Sequence, residues 1–182
     1  LAALSTKAQV SSENYVQTTE RISDTQVLST TEYYDGLGRP FEMVEQKKTP
    51  DGANLIHLKE YDGLGRDWKT WLPVKDASDF LSISAARSQG NNQYRDSHAF
   101  SLTEYDGSPL NRINTVEGVG AEWTSHPVKK DYLVNTSKYP LNCKYYRVSM
   151  QGQLQDKGYY PEGRLYVTKT TDENGNESYE FK

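Results

Sequence analysis

The sequence predicts an all-β protein built from antiparallel hairpins, and three observations lead to that fold class. Turn-forming residues recur at short intervals, the segments between them have strand length, and the 182 residues include 14 Tyr. Tyrosine combines a large apolar ring with a polar tip, which suits a thin sheet that has one wet face. We therefore expect antiparallel hairpin or meander sheets, as an open sheet or part of a β-shell, with at most one short helix.

Three turns organise the first part of the chain. Asp35-Gly36-Leu37-Gly38 and Asp62-Gly63-Leu64-Gly65 lie on either side of Thr49-Pro50-Asp51-Gly52. Aspartate accepts a backbone N–H two residues on, proline fixes φ, and glycine adopts positive φ without steric cost. The segments between these turns predict a four-stranded antiparallel meander with strands at 25–34, 39–48, 53–61 and 66–72. Both Asp-Gly-Leu-Gly turns should lie at one edge of this sheet, opposite the Pro50 turn.

The elements that follow the meander have less regular signals. Residues 78–88 predict a short helix, with Asp76, Ser78 or Asp79 as its N-cap and Gly90 as the residue that stops it. A polar loop should begin at that glycine. Further strands are expected at about 100–105, 112–117, 128–134, 144–149, 164–170 and 176–181.

This organisation predicts a lead-in segment over residues 1–24 and a single β domain over 25–182, with a less regular insert at about 74–99. The length suits one domain or two small sheets that share a core. Residues 1–10 lack the basic-then-apolar order of a signal peptide. We interpret the start as an interior position of a longer protein and the end as a cut within a continuing repeat array.

Composition makes several classes of function unexpected. The net charge is −4, and acidic and basic residues are interspersed, so we expect no nucleic-acid binding. Cys143 is the single cysteine, which excludes an internal disulfide and a multi-cysteine zinc site. No stretch approaches the roughly 18 apolar residues that a membrane helix needs, so we expect no membrane insertion.

Residues with catalytic or metal-binding chemistry are isolated in the sequence. His57, His98 and His126 have no second ligand at metal spacing, and Cys143 has no base near it in the sequence. The segment 172–176 resembles a calcium loop, but its glycine is not at the EF-hand position, so a hairpin turn is predicted. We therefore predict no catalytic residue, no cofactor, no metal site and no enzyme activity.

The strongest signal is the hexapeptide Tyr-Asp-Gly-Leu-Gly-Arg, which occurs at 34–39 and again 27 positions later at 61–66. Its motif residues are Tyr34, Asp35, Gly36, Gly38 and Arg39 in the first copy, and Tyr61, Asp62, Gly63, Gly65 and Arg66 in the second. We predict structural roles for all of them. Aspartate caps the turn and pairs with arginine across it, glycine permits the tight backbone, and the tyrosine rings stack between successive hairpins.

Three weaker copies of the hexapeptide follow. The first runs from Tyr105-Asp106-Gly107 to a late Arg112, the second is 159–164, and the third is 172–176. Repeats of this kind are typical of stacked or coiled β-arrays, in which each unit buries its face against its neighbours.

The pattern Y-D-x-x-G-R resembles the YD repeats of Rhs-family and insecticidal-toxin-complex proteins. The chain more particularly resembles an uncharacterised domain that lies upstream of the YD repeats in Bacteroidetes-type Rhs-associated proteins. This resemblance covers about residues 20–182 and rests on the segments 33–39, 50–52, 60–73, 108–112, 145–148 and 158–181. It implies a wall segment of a large secreted or cell-surface β-shell, often enclosing a toxic C-terminal region, that is structural and non-catalytic.

The resemblance also implies partners, which are other repeats of the same parent protein and a cell-surface glycan or protein. An alternative function is a carbohydrate-binding module, because exposed aromatic rings bind sugars; its candidate residues are Trp68, Trp71 and Trp123. Trp68 and Trp71 are three positions apart, so we expect one in the core and the other exposed. A hydrolase is a third hypothesis that no motif supports.

The last strand, at about 176–181, is expected to lie at a sheet edge with Tyr179 and Phe181 on one face. Unpaired edge groups favour pairing with another strand. We therefore predict weak self-association through residues 176–182, or disorder there.

Overall fold

The computed structural model describes residues 12–24 and 26–182, and most of them lie in antiparallel β-sheet, which confirms the predicted fold class. The described residues form one α-helix, α1 (Ile83–Tyr94), and a short 3-10 helix, Ala121–Ser125. The strands are β1 (Asn14–Arg21), β2 (Val27–Tyr34), β3 (Pro40–Glu45), β4 (Asn54–Tyr61), β5 (Asp67–Trp71), β6 (Val74–Asp76), β7 (Phe100–Tyr105), β8 (Ile113–Glu117), β9 (Val128–Val134), β10 (Lys144–Val148), β11 (Leu154–Tyr159), β12 (Tyr166–Thr171) and β13 (Glu177–Phe181).

The chain divides into two compact units. The first contains the described residues up to Leu102 together with Gly118–Glu122, and the second contains Thr103–Glu117 and Trp123–Lys182. Strand β7 therefore begins in the first unit and ends in the second. The predicted lead-in contains a strand that the sequence did not indicate, since β1 pairs with β2 over eight positions.

The first unit contains the predicted meander, in which β2, β3, β4 and β5 pair in chain order. β1 pairs with β2 at one side, the start of β7 pairs with β5 at the other, and β6 pairs with the beginning of β4. The predicted first strand began at residue 25, which lies outside the described residues. A β-bulge follows each hexapeptide turn, and its extra residue is Phe41 in the first copy and Trp68 in the second.

One face of the meander carries the core of the first unit. Val44, Ile56 and Leu58 are buried on this face, and they belong to a cluster that includes Trp71 and, from α1, Ala86. Ile56 and Leu58 thus share a face, as their alternation predicted. Burying an aliphatic or aromatic side chain contributes about 1.5–3 kcal/mol, so this cluster is the main source of stability in the first unit.

The helix begins later than predicted. The sequence placed it at 78–88 with an N-cap at Asp76, Ser78 or Asp79, but Ser82 caps it, and the Ser82 hydroxyl accepts the Ala85 N–H. The three predicted caps were wrong because the residues before Ser82 run along the core face in an irregular conformation.

The predicted stop at Gly90 was also wrong, because α1 continues to Tyr94. A Cβ at Gly90 would lie 3.3 Å from the Trp71 ring, so the glycine lets the helix pack closely on that ring. The helix ends instead at Arg95, which adopts left-handed backbone angles and donates its N–H to the Asn91 carbonyl. Tertiary packing, and not helix termination, explains this glycine.

The second unit contains the end of β7 followed by β8, β9, β12 and β13 in that pairing order, and β10 and β11 form a separate two-stranded sheet. Val167 is buried, and Asn135 is 0% exposed. The Asn135 side chain accepts the N–H groups of Arg164 and Leu165, each at 2.8 Å, and donates to the Pro161 carbonyl at 2.9 Å. This buried amide anchors the segment that contains the weak copy at 159–164.

No helix within residues 12–24 and 26–182 is long and apolar enough to cross a membrane.

Candidate functional site

Five hairpins in the described part of the chain share one hydrogen-bonded turn, at 35–39, 49–53, 62–66, 149–153 and 172–176. In each, the N–H of the first residue donates to the carbonyl of the fifth at 2.8–3.2 Å, and the N–H of the fourth donates to the carbonyl of the first at 2.9–3.0 Å. The fourth residue is always glycine, with φ between 76° and 82°. A side chain in this conformation costs about 1–2 kcal/mol, which explains why the glycine recurs. The pattern is a three-residue hairpin loop with a glycine bulge.

Aspartate at the first position closes the turn from inside. Asp35 Oδ1 accepts the N–H groups of Leu37 and Arg39, each at 2.9 Å, and Asp62 does the same for its own turn. The backbone N–H at the fifth position is the largest cause of the lowered pKa of both aspartates. The predicted capping role is therefore confirmed.

The side chain at the fifth position also binds the aspartate. Arg39 Nε donates to Asp35 Oδ2 at 2.8 Å, and Arg66 Nε donates to Asp62 Oδ2 at the same distance. The predicted pairing across both turns is confirmed. In the turn 172–176, Asn176 replaces the arginine and donates its side-chain N–H to Asp172, also at 2.8 Å. This last segment forms the hairpin turn that the sequence predicted.

Arg39 also reaches the neighbouring hexapeptide. Its guanidinium lies 4.5 Å from the centre of the Tyr61 ring, and the Tyr61 hydroxyl donates to the Pro40 carbonyl at 2.6 Å. A Cβ on Gly65 would come within 2.7 Å of Arg39 Nη1, so the arginine touches the second turn as well. We call the set Arg39, Tyr61 and Pro40 the first clamp. It confirms that the two turns lie side by side at one sheet edge.

The second unit contains the same arrangement. The Arg112 guanidinium lies 5.0 Å from the centre of the Tyr132 ring, and the Tyr132 hydroxyl donates to the Ile113 carbonyl at 3.0 Å. We call Arg112, Tyr132 and Ile113 the second clamp. A cation over an aromatic ring contributes about 0.5–1 kcal/mol at an exposed site.

The two clamps have the same ladder register. Glu42 lies opposite Leu58 in the β3–β4 pair, and Thr115 lies opposite Lys129 in the β8–β9 pair. In both cases the arginine lies three residues before the first member of this pair, and the tyrosine lies three residues after the second member. The arginine of one hairpin therefore contacts the tyrosine of the next strand, whereas the predicted contact was between tyrosine rings.

A cavity of about 630 Å³ lies at the same edge of the first unit, beside Arg39, Tyr61, Phe80 and Arg87. Cavities of this size are in the range that binds small molecules. Glu60, which is 7% exposed, also lines it.

The charges that line this cavity are paired. Glu60 accepts the Trp71 indole N–H at 2.7 Å and the Arg87 Nε–H at 2.8 Å, and Arg87 Nη2 donates to its other oxygen. Lys59 pairs with Asp67 at 2.7 Å, and Arg39 with Asp35. Within the described residues, the three cations of the lining thus each hold a carboxylate, which favours structural roles for them.

The three tryptophans proposed for sugar binding are divided between the units. Trp71 is 6% exposed and belongs to the core, as expected for one member of the Trp68 and Trp71 pair. Lys69 Nζ lies 4.6 Å from the centre of the Trp68 ring, whose indole nitrogen is buried. Trp123 in the second unit is 48% exposed and lies edge-on to His126, 6.5 Å between ring centres.

The remaining chemical candidates are dispersed. His57 Nε2 lies 3.1 Å from Glu45 Oε2, and the Cys143 thiol lies 3.7 Å from the Lys144 carbonyl. Over residues 12–24 and 26–182 there is no group of three or more His, Cys, Asp or Glu side chains placed to hold a metal ion.

Tyr132, Glu60 and Arg87 were missed in the sequence. Tyr132 lies outside the hexapeptide copies, and only the strand register brings it to Arg112. The pair between Glu60 and Arg87 joins a strand to a helix 27 positions away, and no local pattern marks it.

A protein-family model matches residues 5–134, and the family is described as a domain of unknown function, DUF6443. The matched region contains the meander, α1 and both clamps. Comparison with curated proteins and with solved structures gives no match for the chain.

Proposed function

The chain belongs to the DUF6443 family of uncharacterised domains, and from its geometry we propose that it is a non-catalytic structural and interaction module. In this proposal it forms a wall segment of a large secreted or cell-surface protein of the Rhs and YD-repeat kind. Its partners are the neighbouring repeats of the same parent protein.

One observation carries the proposal, which is the recurrence of the same clamp in both units. A wall of hairpins needs side-chain contacts that fix each hairpin to the next one and that do not depend on the packing against either face of the sheet. Arg39 and Tyr61 of the first clamp belong to the repeated motif, and Arg112 of the second clamp belongs to a degenerate copy, whereas Tyr132 lies outside the copies. The ion pairs that line the 630 Å³ cavity add support, because they fix these side chains in contacts within the sheet and helix.

Hydrogen exchange of the full chain tests the clamping role. We expect Arg39→Met to raise exchange in β3 and β4, and Arg112→Met to raise it in β8 and β9, each within its own unit. Arg147→Met on β10 is the matched control, since Arg147 is exposed and lies outside both clamps. Unchanged exchange in both clamp variants would show that the arginines do not fasten the hairpins.

The location is tested separately in the cells that make the parent protein. Mild protease treatment of intact cells, followed by mass spectrometry of the medium and of the released peptides, should recover segments of this chain. Recovery from the lysed cell interior alone would refute a secreted or surface location.

Carbohydrate binding is the alternative proposal, and the exposure of the Trp123 ring favours it. Intrinsic fluorescence titrated with a broad panel of polysaccharides should then respond, and Trp123→Ala should remove the response. Trp71→Phe is the control, because Trp71 is buried. A flat response across the panel would leave the structural proposal alone.

Self-association through the last strand is part of the proposed partner set. Within the described residues, β13 pairs with β12 alone and so leaves one edge unpaired. Sedimentation should detect a weak dimer that Ser178→Pro, in the middle of the strand, abolishes. A strict monomer at high concentration would contradict this contact.

A further inference from the structure

Residues 77–82, between β6 and α1, cross the core face of the meander in an irregular conformation, and we call them the strap. The Tyr33 hydroxyl donates to the Asp79 carbonyl at 2.6 Å, and the Asn54 side chain donates to the Ser78 carbonyl at 2.9 Å. The Phe80 ring packs 4.9 Å from the Tyr33 ring. The strap thus lies on the sheet through a few identifiable contacts.

The strap also forms part of the 630 Å³ cavity, since Phe80 and Ser82 line it. Ser82 is the N-cap of α1, so the strap ends where the helix begins. A displacement of the strap would therefore open one wall of the cavity.

Glu42 of β3 lies beneath the strap and is 2% exposed. Its Oε1 accepts the Leu81 N–H at 3.0 Å, whereas its Oε2 is buried without a hydrogen-bond partner among the described residues. A buried carboxylate with one neutral hydrogen bond is disfavoured, so burial shifts the equilibrium of this group towards its protonated form. Burial accordingly raises the pKa of Glu42 to about 7.

Glu60 is a second buried acid, and its carboxylate has side-chain donors that Glu42 does not have. Both acids are buried on the core face, but Glu60 is held by the Arg87 guanidinium and the Trp71 indole. Among the described residues, the Tyr33 phenol of β2 interacts with Glu42 and also with Asp79 of the strap, and His57 and Lys59 of β4 line a neighbouring pocket with Glu42. Burial first, and then the charges of Glu42 and Asp79, raise the pKa of Tyr33 to about 12.

Tyr15 of β1 lies behind Tyr33, with 5.7 Å between the ring centres, and it also carries no positive charge. Among the described residues, the hydrogen bond to the Glu42 carboxyl comes from Leu81 of the strap, and the strap has no regular secondary structure. Ionisation of Glu42 therefore acts first on the contact with Leu81.

We propose that Glu42 is a proton-operated latch: its protonated carboxyl keeps the strap closed on the core, and loss of the proton to solvent releases the strap and opens the cavity wall. The charged carboxylate must be hydrated, and the strap is the segment whose movement admits water to it.

The direction of the pH effect follows from the two states. In the open state the carboxyl has an ordinary pKa, near 4.5, so it ionises while the closed state still holds its proton. Between that value and about 7, the ratio of open to closed strap should rise roughly tenfold per pH unit. Above about pH 7 both states are ionised, and the ratio levels off.

Hydrogen exchange measured as protection factors tests the latch, because protection factors are corrected for intrinsic exchange. In the native chain, protection of the amides of residues 80–82 should fall about tenfold per unit between pH 5 and pH 7 and then flatten. Glu42→Gln should remove this slope, since the amide cannot ionise. Glu45→Gln is the matched control on the same strand, and it should keep the slope of the native chain.

Two further measurements keep the test decisive. The amides of Ile56 and Leu58 in β4 should keep constant protection; a parallel fall there would mean global unfolding and would overturn the latch. If Glu42→Gln does not fold, the carboxyl carbon of Glu42 can be titrated by NMR in the native chain. A midpoint below pH 5, or a pH-independent strap, would overturn the proposal as well.

Discussion

The two units use the same turn and the same clamp, but different interiors stabilise them. The first unit buries a cluster of aliphatic and aromatic side chains against α1 and the strap. The second unit has a buried asparagine as its most shielded polar group, and β9 and β13 are mostly exposed. The turn and the clamp are therefore what the repeated motif contributes to both units. The buried side chains that stabilise each unit differ.

The largest expected effect tests the interior of the first unit. Ile56→Ala removes a fully buried side chain and should lower the free energy of unfolding of the first unit by about 2–5 kcal/mol. Urea titration followed by hydrogen exchange can assign the loss to that unit. Val134→Ala in β9 is the control, because Val134 is 46% exposed, and its loss should stay below about 1 kcal/mol. Equal losses would remove the contrast between the units.

The second expected effect tests the anchor of the second unit. Asn135→Ala leaves the N–H groups of Arg164 and Leu165 without their acceptor and should destabilise the unit by about 2–4 kcal/mol. Exchange should rise in residues 160–171 and stay unchanged in β4. Asn174→Ala, at an exposed turn position, is the matched control. An effect of Asn135→Ala as small as that of the control would mean that the buried amide does not organise this unit.

The third prediction separates the turn from the clamp. Gly38→Ala and Gly65→Ala both place a side chain at positive φ and should each cost about 1–2 kcal/mol. Gly65→Ala should cost more, because its Cβ would displace the Arg39 guanidinium from the first clamp. Gly36→Ala is the control: its φ is not positive, and no atom lies within 4 Å of the added Cβ. Thermal unfolding should show the largest loss of stability for Gly65→Ala, a smaller loss for Gly38→Ala and the smallest for Gly36→Ala. Identical losses at Gly38 and Gly65 would argue against the clamp.

The sequence was sufficient where structure depends on neighbouring residues. Asp35 and Arg39 are four positions apart, so turn chemistry alone predicted their pairing, and the same reasoning identified the hairpin turn at 172–176. The meander followed from the spacing of such turns. Its strands carry enough alternation, as at Ile56 and Leu58, to indicate which face is buried.

Prediction failed where a distant contact decides the outcome. Gly90 looked like a helix stop, but the Trp71 ring explains it. The contact between Arg112 and Tyr132 depends on the register in which β8 and β9 pair. That register could not be predicted, because the segment between these strands is irregular. β1 was missed because its eight residues are all exposed and show no apolar alternation.

A double-mutant cycle on each clamp tests the central claim most directly, namely that neighbouring hairpins are fastened by the arginine and the tyrosine whose ring it contacts. The cycles combine Arg39→Met with Tyr61→Leu, and Arg112→Met with Tyr132→Leu, and they measure the coupling in the free energy of unfolding. Losses that each variant causes elsewhere, such as the broken pair with Asp35, cancel in the cycle. We predict a favourable coupling of about 0.5–1 kcal/mol in both units. Additive losses in both cycles would contradict the claim.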